Sequence, residues 1–293
     1  MAIFEISNGE LTASIDSHGA ELKSLRSVER ETEYMWCGDP AYWGKTSPVL
    51  FPFIGMLKNG EYRFQGETYQ MTKHGFARDK EFKLVSHEAA EVWFLLDADE
   101  ETEKIYPFDF RLEIGYRLDG KKLKVLWRVE NLSESVIYFS IGGHPAFNCP
   151  LNPEHRRKDY YLQFGRKDCI RCTVIGTDGL VDDHHVVHEL ENGRLPVRAE
   201  LFAQDAMVME DGQLNEISLL TPDKKPYIKV TFSTPVVAVW TPSGIEAPFI
   251  CIEPWYGLCD HVDFDGSLEE RKWRNEVEPG KRFASEYIIE VKQ

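Results

Sequence analysis

The chain has 293 residues, 42% hydrophobic and 28% charged, a balance expected of a globular protein with a sizeable core. Asp and Glu outnumber Lys and Arg 49 to 34, a formal charge of −15, and an acidic surface repels nucleic acid and anionic lipid. No apolar run approaches the roughly 18 residues that span a bilayer, and the first residues lack a basic start and a long apolar stretch, so neither a membrane span nor a secretory signal is expected and the expected location is cytoplasmic.

In chain order the dominant period is two, the pattern of half-buried strands. Short strands are predicted at 4–7, 11–15 and 21–25. Asp39-Pro40 then offers an N-cap and a first-position proline, which predicts one helical turn through Trp43. More short strands are predicted at 61–64, 68–71, 82–86 and 91–96. The clearest signal follows. Leu112, Ile114, Tyr116 and Leu118 alternate with charged or small residues over 111–118, and Leu123, Val125, Trp127 and Val129 do so over 122–129. Asp119-Gly120 between them reads as a type I′ turn, so the pair is predicted to be a hairpin. A strand at 136–141 extends this meander, and 160–164 is another candidate. Residues 182–198 read as a long polar loop. Strands at 227–232, 236–240 and 286–291 complete the set. Helix signals are few: Ser267 to Glu270 is a capping box, and Pro279-Gly280 limits any helix after it. Many short strands with no linker and no internal repeat predict an all-β sandwich in one domain over 1–293.

The six cysteines read as reduced thiols, and Cys169 and Cys172 form a lone CxxC without a second pair at zinc spacing. The run Asp182-Asp183-His184-His185, with His188, falls in the predicted polar loop. Neither a metal nor a cofactor is expected.

Three segments depart from ordinary strand sequence. They are Lys73-His74-Gly75-Phe76-Ala77-Arg78, Gly142-Gly143-His144-Pro145-Ala146-Phe147-Asn148, and the apolar run from Phe249 that meets Glu253 and continues Pro254-Trp255-Tyr256-Gly257. Singly, each has an ordinary reading: a histidine beside glycine caps a turn, and a glutamate after an apolar run marks a strand reaching water. Together they place two histidines and a carboxylate at predicted strand ends near aromatic rings. Flat aromatic faces beside acid and base groups suit a sugar ring. Glutamate titrates at about 4.3 and histidine at about 6.5, so Glu253 is expected as an ionised base and a histidine as the acid. One base and one acid suffice to open a hemiacetal, without nucleophile or redox group.

These segments, with Leu50–Gly55 (Leu-Phe-Pro-Phe-Ile-Gly) and Trp240-Thr241-Pro242, resemble the aldose 1-epimerases, in the LacX-like branch of the galactose mutarotase-like proteins. The motifs occur in family order from about residue 3 to residue 290. The resemblance implies a β-supersandwich of large, mostly antiparallel sheets with an open cleft, and interconversion of α and β anomers of an aldose. By position it implies Glu253 as general base, His144 as general acid, His74 as the second histidine on the ring oxygen and hydroxyls, and Asp205 as a substrate-binding aspartate. Phe147, Trp240 and Trp255 are expected substrate contacts within the same motifs.

One position departs from the family pattern. Relatives carry an arginine before the His-Gly motif that contacts sugar hydroxyls, and here the stretch is Gly55-Met56-Leu57-Lys58. A thioether donates no hydrogen bond, so a weakened grip on free hexoses is expected. Lys58 and Arg78 are then the candidate cations for a phosphate, which keeps a hexose-6-phosphate mutarotase as an alternative. A non-catalytic carbohydrate-binding or sensing protein on the same fold is the other. The expected partner is a small sugar, with the chain a monomer or homodimer.

Overall fold

Two large sheets dominate the computed structural model, which describes residues 2–292. The first has nine strands in the spatial order Arg194–Pro196, Tyr161–Phe164, Glu216–Leu220, Pro226–Phe232, Arg282–Val291, Lys122–Asn131, Phe110–Asp119, Glu91–Asp97 and Lys83–His87. The second has eight: Val181–Glu189, Cys169–Ile175, Met207–Met209, Val236–Trp240, Phe249–Tyr256, Ile141–Gly143 and Val49–Leu50 in order, with Ala146–Asn148 also paired to Phe249–Tyr256. The ladders in both are antiparallel.

Strand period explains how the sheets meet. Leu123, Val125, Trp127 and Val129 are buried while Lys124, Leu126 and Arg128 between them are partly exposed. Their inward face shares one core with Val237, Val239, Ile250 and Ile252 of the second sheet. Burial of side chains of this size contributes about 1.5–3 kcal/mol each, which is what holds the sheets face to face. On the second sheet the alternate residues face outward. Val236, Ala238 and Trp255 belong to a separate apolar cluster on that side, and Cys251 and Phe249 to another. The outer face is therefore also covered, and Phe249–Tyr256 is buried along nearly its whole length.

The structure revises several expected elements. The 111–129 hairpin forms, but Lys122 pairs with Asp119, so the two turn residues are Gly120 and Lys121. Only Gly120 has a positive φ, 54°, which is the pattern of a type II′ turn and not of type I′. Residues 136–141 are not one strand. Ile137–Phe139 pairs with Asn275–Val277, whereas Ile141–Gly143 joins the eight-stranded sheet. The break falls at Ser140, whose N–H donates to Pro52 O and whose side chain abuts Gly257. Residues 182–198 are not a loop: they hold the edge strand Val181–Glu189 and the short Arg194–Pro196. That edge strand is exposed through most of its length, so it has no apolar alternation to reveal it. The Cys169/Cys172 pair lies on its neighbour, Cys169–Ile175, and both thiols are free. Among the described residues no helix is long and apolar enough to cross a membrane.

Candidate active site

Glu253 is not at a strand end; it lies in the middle of Phe249–Tyr256. Being odd-numbered it shares the outward face with Cys251 and Trp255, opposite Ile250 and Ile252 in the core. Its cross-strand neighbour is Ala238, whose small side chain leaves the carboxylate room. Trp240, two residues on from Ala238, takes the same face. These side chains form the floor of a cleft of about 150 Å³, whose wall includes Trp43, Lys73, His74, Arg78, His144 and Asp205.

His144 arrives from the connection between Ile141–Gly143 and Ala146–Asn148, both paired to the Glu253 strand. Its Nε2 lies 3.2 Å from Glu253 Oε2, and the two side chains are 8% and 1% exposed. Trp43 stacks on the imidazole at 4.7 Å between centroids, and Trp240 meets it edge-on at 5.5 Å. Trp43 is carried by the turn predicted after Asp39, where its N–H donates to Asp39 O. The loop beyond is fastened by Glu21, whose carboxylate accepts the N–H groups of Thr46 and Ser47 at 2.6 and 2.9 Å.

His74 sits in a tight turn at φ 69°, followed by Gly75 at φ 72°. A Cβ on Gly75 would lie 2.2 Å from Phe51 O, so only glycine allows this approach. The Gly55 N–H donates to His74 Nδ1 at 3.1 Å. Nδ1 is thereby the acceptor, and the neutral ring keeps its proton on Nε2 as a donor. The two imidazoles are 5.8 Å apart.

Burial sets the charges. It pushes the His144 imidazole down to about 3, with Lys73 and Arg78 adding to the effect. Burial also holds His74 well below the usual histidine range, with His144 and Lys73 as further causes. The Glu253 carboxyl is held well above the usual carboxylate range, first by burial and then by Asp205, while Lys73 and Trp255 pull weakly the other way. The expected ionised glutamate thus meets a pocket that works against its charge, and the histidine acid one that works against its protonation. Burial thus disfavours the charged form of each side chain, because a low-dielectric pocket penalises separated charges. Such a pair can give a proton from one member and take one with the other.

Of the residues singled out from sequence, Glu253, His144, His74, Asp205, Arg78, Trp240 and Trp255 all line this cleft. Two do not. Phe147 is wholly buried in the common core, facing inward from its short strand. Lys58 lines a different cavity with Arg63 and Asp265, and its N–H donates to Asp260 at 2.9 Å. Met56 is not on the wall either; its Cγ sits behind Gly179, which is. Trp43 and Lys73 were missed. The lysine adjoins the His-Gly motif and could have been read from it, whereas nothing local to Trp43 indicates a stack on a residue about a hundred positions away.

Comparison with known proteins agrees with this geometry. The aldose 1-epimerase family model matches residues 2–289. The chain is 31% identical over 296 aligned positions to the chromosomal protein LacX of Lactococcus lactis subsp. lactis, covering 98% of each chain. Among solved structures, a galactose mutarotase related enzyme from Lactobacillus acidophilus superposes with a TM-score of 0.94 at 32% identity, covering 100% of this chain and 98% of the other. A galactose mutarotase-like protein from Lactobacillus casei gives 0.91 at 29% identity, covering 99% and 100%. The all-β architecture of large antiparallel sheets is thus the galactose mutarotase-like fold, and the chain belongs to the aldose 1-epimerase family.

Proposed function

We propose that this chain is a mutarotase, interconverting the α and β anomers of an aldose by acid–base ring opening. The observation that carries the reading is the buried 3.2 Å contact between His144 Nε2 and Glu253 Oε2 on an aromatic-walled cleft. Sugar hydroxyls entering the cleft solvate the Glu253 carboxylate, and the carboxyl proton passes to His144. Glu253 then takes the proton of the anomeric hydroxyl as the bond from C1 to the ring oxygen breaks, and His144 protonates that oxygen. The open aldehyde turns about C1–C2 and closes on its other face, with both protons returning. His74 Nε2–H and Asp205 hold ring substituents, and Trp240 and Trp255 offer faces to the ring's C–H surface. The chain acts as one domain, in the cytoplasm.

Lys73 and Arg78 favour one second reading, in which the aldose is phosphorylated. Both lie on the cleft wall, and Lys73 is exposed there and makes no ion pair among the described residues.

Polarimetry on freshly dissolved free and 6-phosphorylated aldoses tests both readings. The wild type speeds mutarotation, and Glu253→Gln lowers kcat by at least about 10²-fold while sugar binding survives. Sugar binding without acceleration by the wild type would make this a binding protein; equal kcat in Glu253→Gln would remove the base assignment.

A further inference from the structure

The largest cavity described is not the cleft. A second hollow of about 570 Å³ lies at the far side of the turn joining Val236–Trp240 to Phe249–Tyr256. Its volume is in the range of small-molecule sites, roughly 300–1,000 Å³. Val197, Phe202, Pro242 and Ile245 give it an apolar wall, and Arg157, Lys158 and Arg198 give it cations.

Arg157 is the anomaly. It is 4% exposed, and its Nη1 donates to Thr241 Oγ1 at 2.9 Å and to Ala247 O at 2.7 Å, both neutral acceptors. Among the described residues it forms no ion pair, and neither do Lys158 and Arg198. The other buried arginine behaves differently: Arg271, 3% exposed, has its Nε 2.7 Å from Asp260 Oδ1. Buried charges are ordinarily paired, since an uncompensated one loses its hydration for nothing. Three cations and two carboxylates line the cavity, and Glu246 acts on Arg157 only through space, with no direct ion pair between them. Glu200 and Glu246 also line the hollow, without entering ion pairs among the described residues.

We infer that this cavity is a second ligand site, separate from the cleft, which takes a small organic phosphate monoester. The phosphate meets the free edge of the Arg157 guanidinium, a fork matched to two oxygens, with Lys158 and Arg198 balancing its second charge. The organic part lies against Phe202 and Ile245. Inorganic phosphate alone leaves that wall unused and binds more weakly.

Phenyl phosphate is the test probe, since it is no aldose and cannot turn over in the cleft. Calorimetric titration should show one site on the wild type, at least tenfold tighter for phenyl phosphate than for inorganic phosphate or for benzoate. The exposed pair Lys158→Ala/Arg198→Ala should weaken it at least tenfold, with an unchanged thermal midpoint and unchanged mutarotation of a free aldose. Arg157→Lys, which keeps the charge and loses the fork, should weaken it too. Equal affinity in the double variant, or binding of phenyl phosphate no tighter than inorganic phosphate, overturns the assignment. So does the absence of binding to a folded wild type. The readout is binding, so the result stands whether or not the cleft proves to be a mutarotase site.

Discussion

Two side chains, Glu253 and His144, have exchanged their solution preferences for proton and charge. Their titrations are coupled, and the pair holds one proton between the first macroscopic step and the second. Burial lowers the imidazole to about 3 and raises the carboxyl well above its usual range. The acid limb of the kcat/KM profile is therefore expected near about pH 3, where the imidazole gains its second proton, and the basic limb follows the raised carboxyl. An unperturbed pair, at about 4.3 and about 6.5, would give a bell that falls above its upper limit. A tenfold loss per unit setting in already below about pH 4.3 would show that the imidazole is not lowered by burial. The two histidines should also separate kinetically. His144→Asn should lower kcat with little change in KM, whereas His74→Asn should disturb both, as its Nε2–H holds the ground state. If His144→Asn only raises KM, the two roles are exchanged.

The elements around the cleft are tied at one ion pair. Asp260 accepts from Arg271 at 2.7 Å and from the Lys58 N–H at 2.9 Å. The Asp260 backbone bonds Met56 O at 3.0 Å and the Val181 N–H at 2.9 Å, and Arg271 also donates to Leu258 O. One node thus joins the segment before the His-Gly motif, the edge strand Val181–Glu189 and the chain beyond Glu253. Arg271→Ala leaves the Asp260 carboxylate buried without its partner, an expected cost of about 3–5 kcal/mol. Urea unfolding should report it as a lower midpoint at unchanged slope. A loss under about 1 kcal/mol, the value of an exposed pair, would mean that the node is solvated. The same elements show where sequence reading stops. The 111–129 pair is legible because one face is buried and one is partly exposed, and Val236–Trp240 because it is a short apolar β-branched run buried on both faces. Val181–Glu189 is not, since an edge strand exposed along most of its length keeps its place by backbone hydrogen bonds, to one strand and at Val181 to the 260–262 segment, which have no side-chain pattern.

For the whole molecule, the buried site leaves a signature in stability. His144 and His74 have folded values below the unfolded value of about 6.5, so acidification below that pH protonates the unfolded chain first and stability falls. Glu253 has the opposite sign: its folded value is raised, so its contribution is fully present below about 4.3 and is lost as pH rises toward the folded value. Between about pH 4.3 and about pH 6.5 the two histidines outweigh the one glutamate, and the thermal midpoint should drop on acidification. Glu253→Gln removes the opposing effect. It should steepen that drop, and its gain in midpoint over the wild type should be larger at pH 7 than at pH 4. A gain independent of pH would show that Glu253 is not perturbed by folding. What the sequence alone determined was the class of fold, through the period-two burial of its strands, and the candidate acid and base, through His-Gly, Gly-His-Pro and Glu-Pro-Trp contexts matched to a family. Only the tertiary structure decided that Glu253 sits mid-strand under His144, that Trp43 covers the imidazole, that Phe147 faces the core and that Lys58 lies elsewhere. Strand period assigns a residue to one of two faces. Which face is covered, and by what, depends on the segments that pack there, and the same burial shifts the proton from where isolated side chains would hold it.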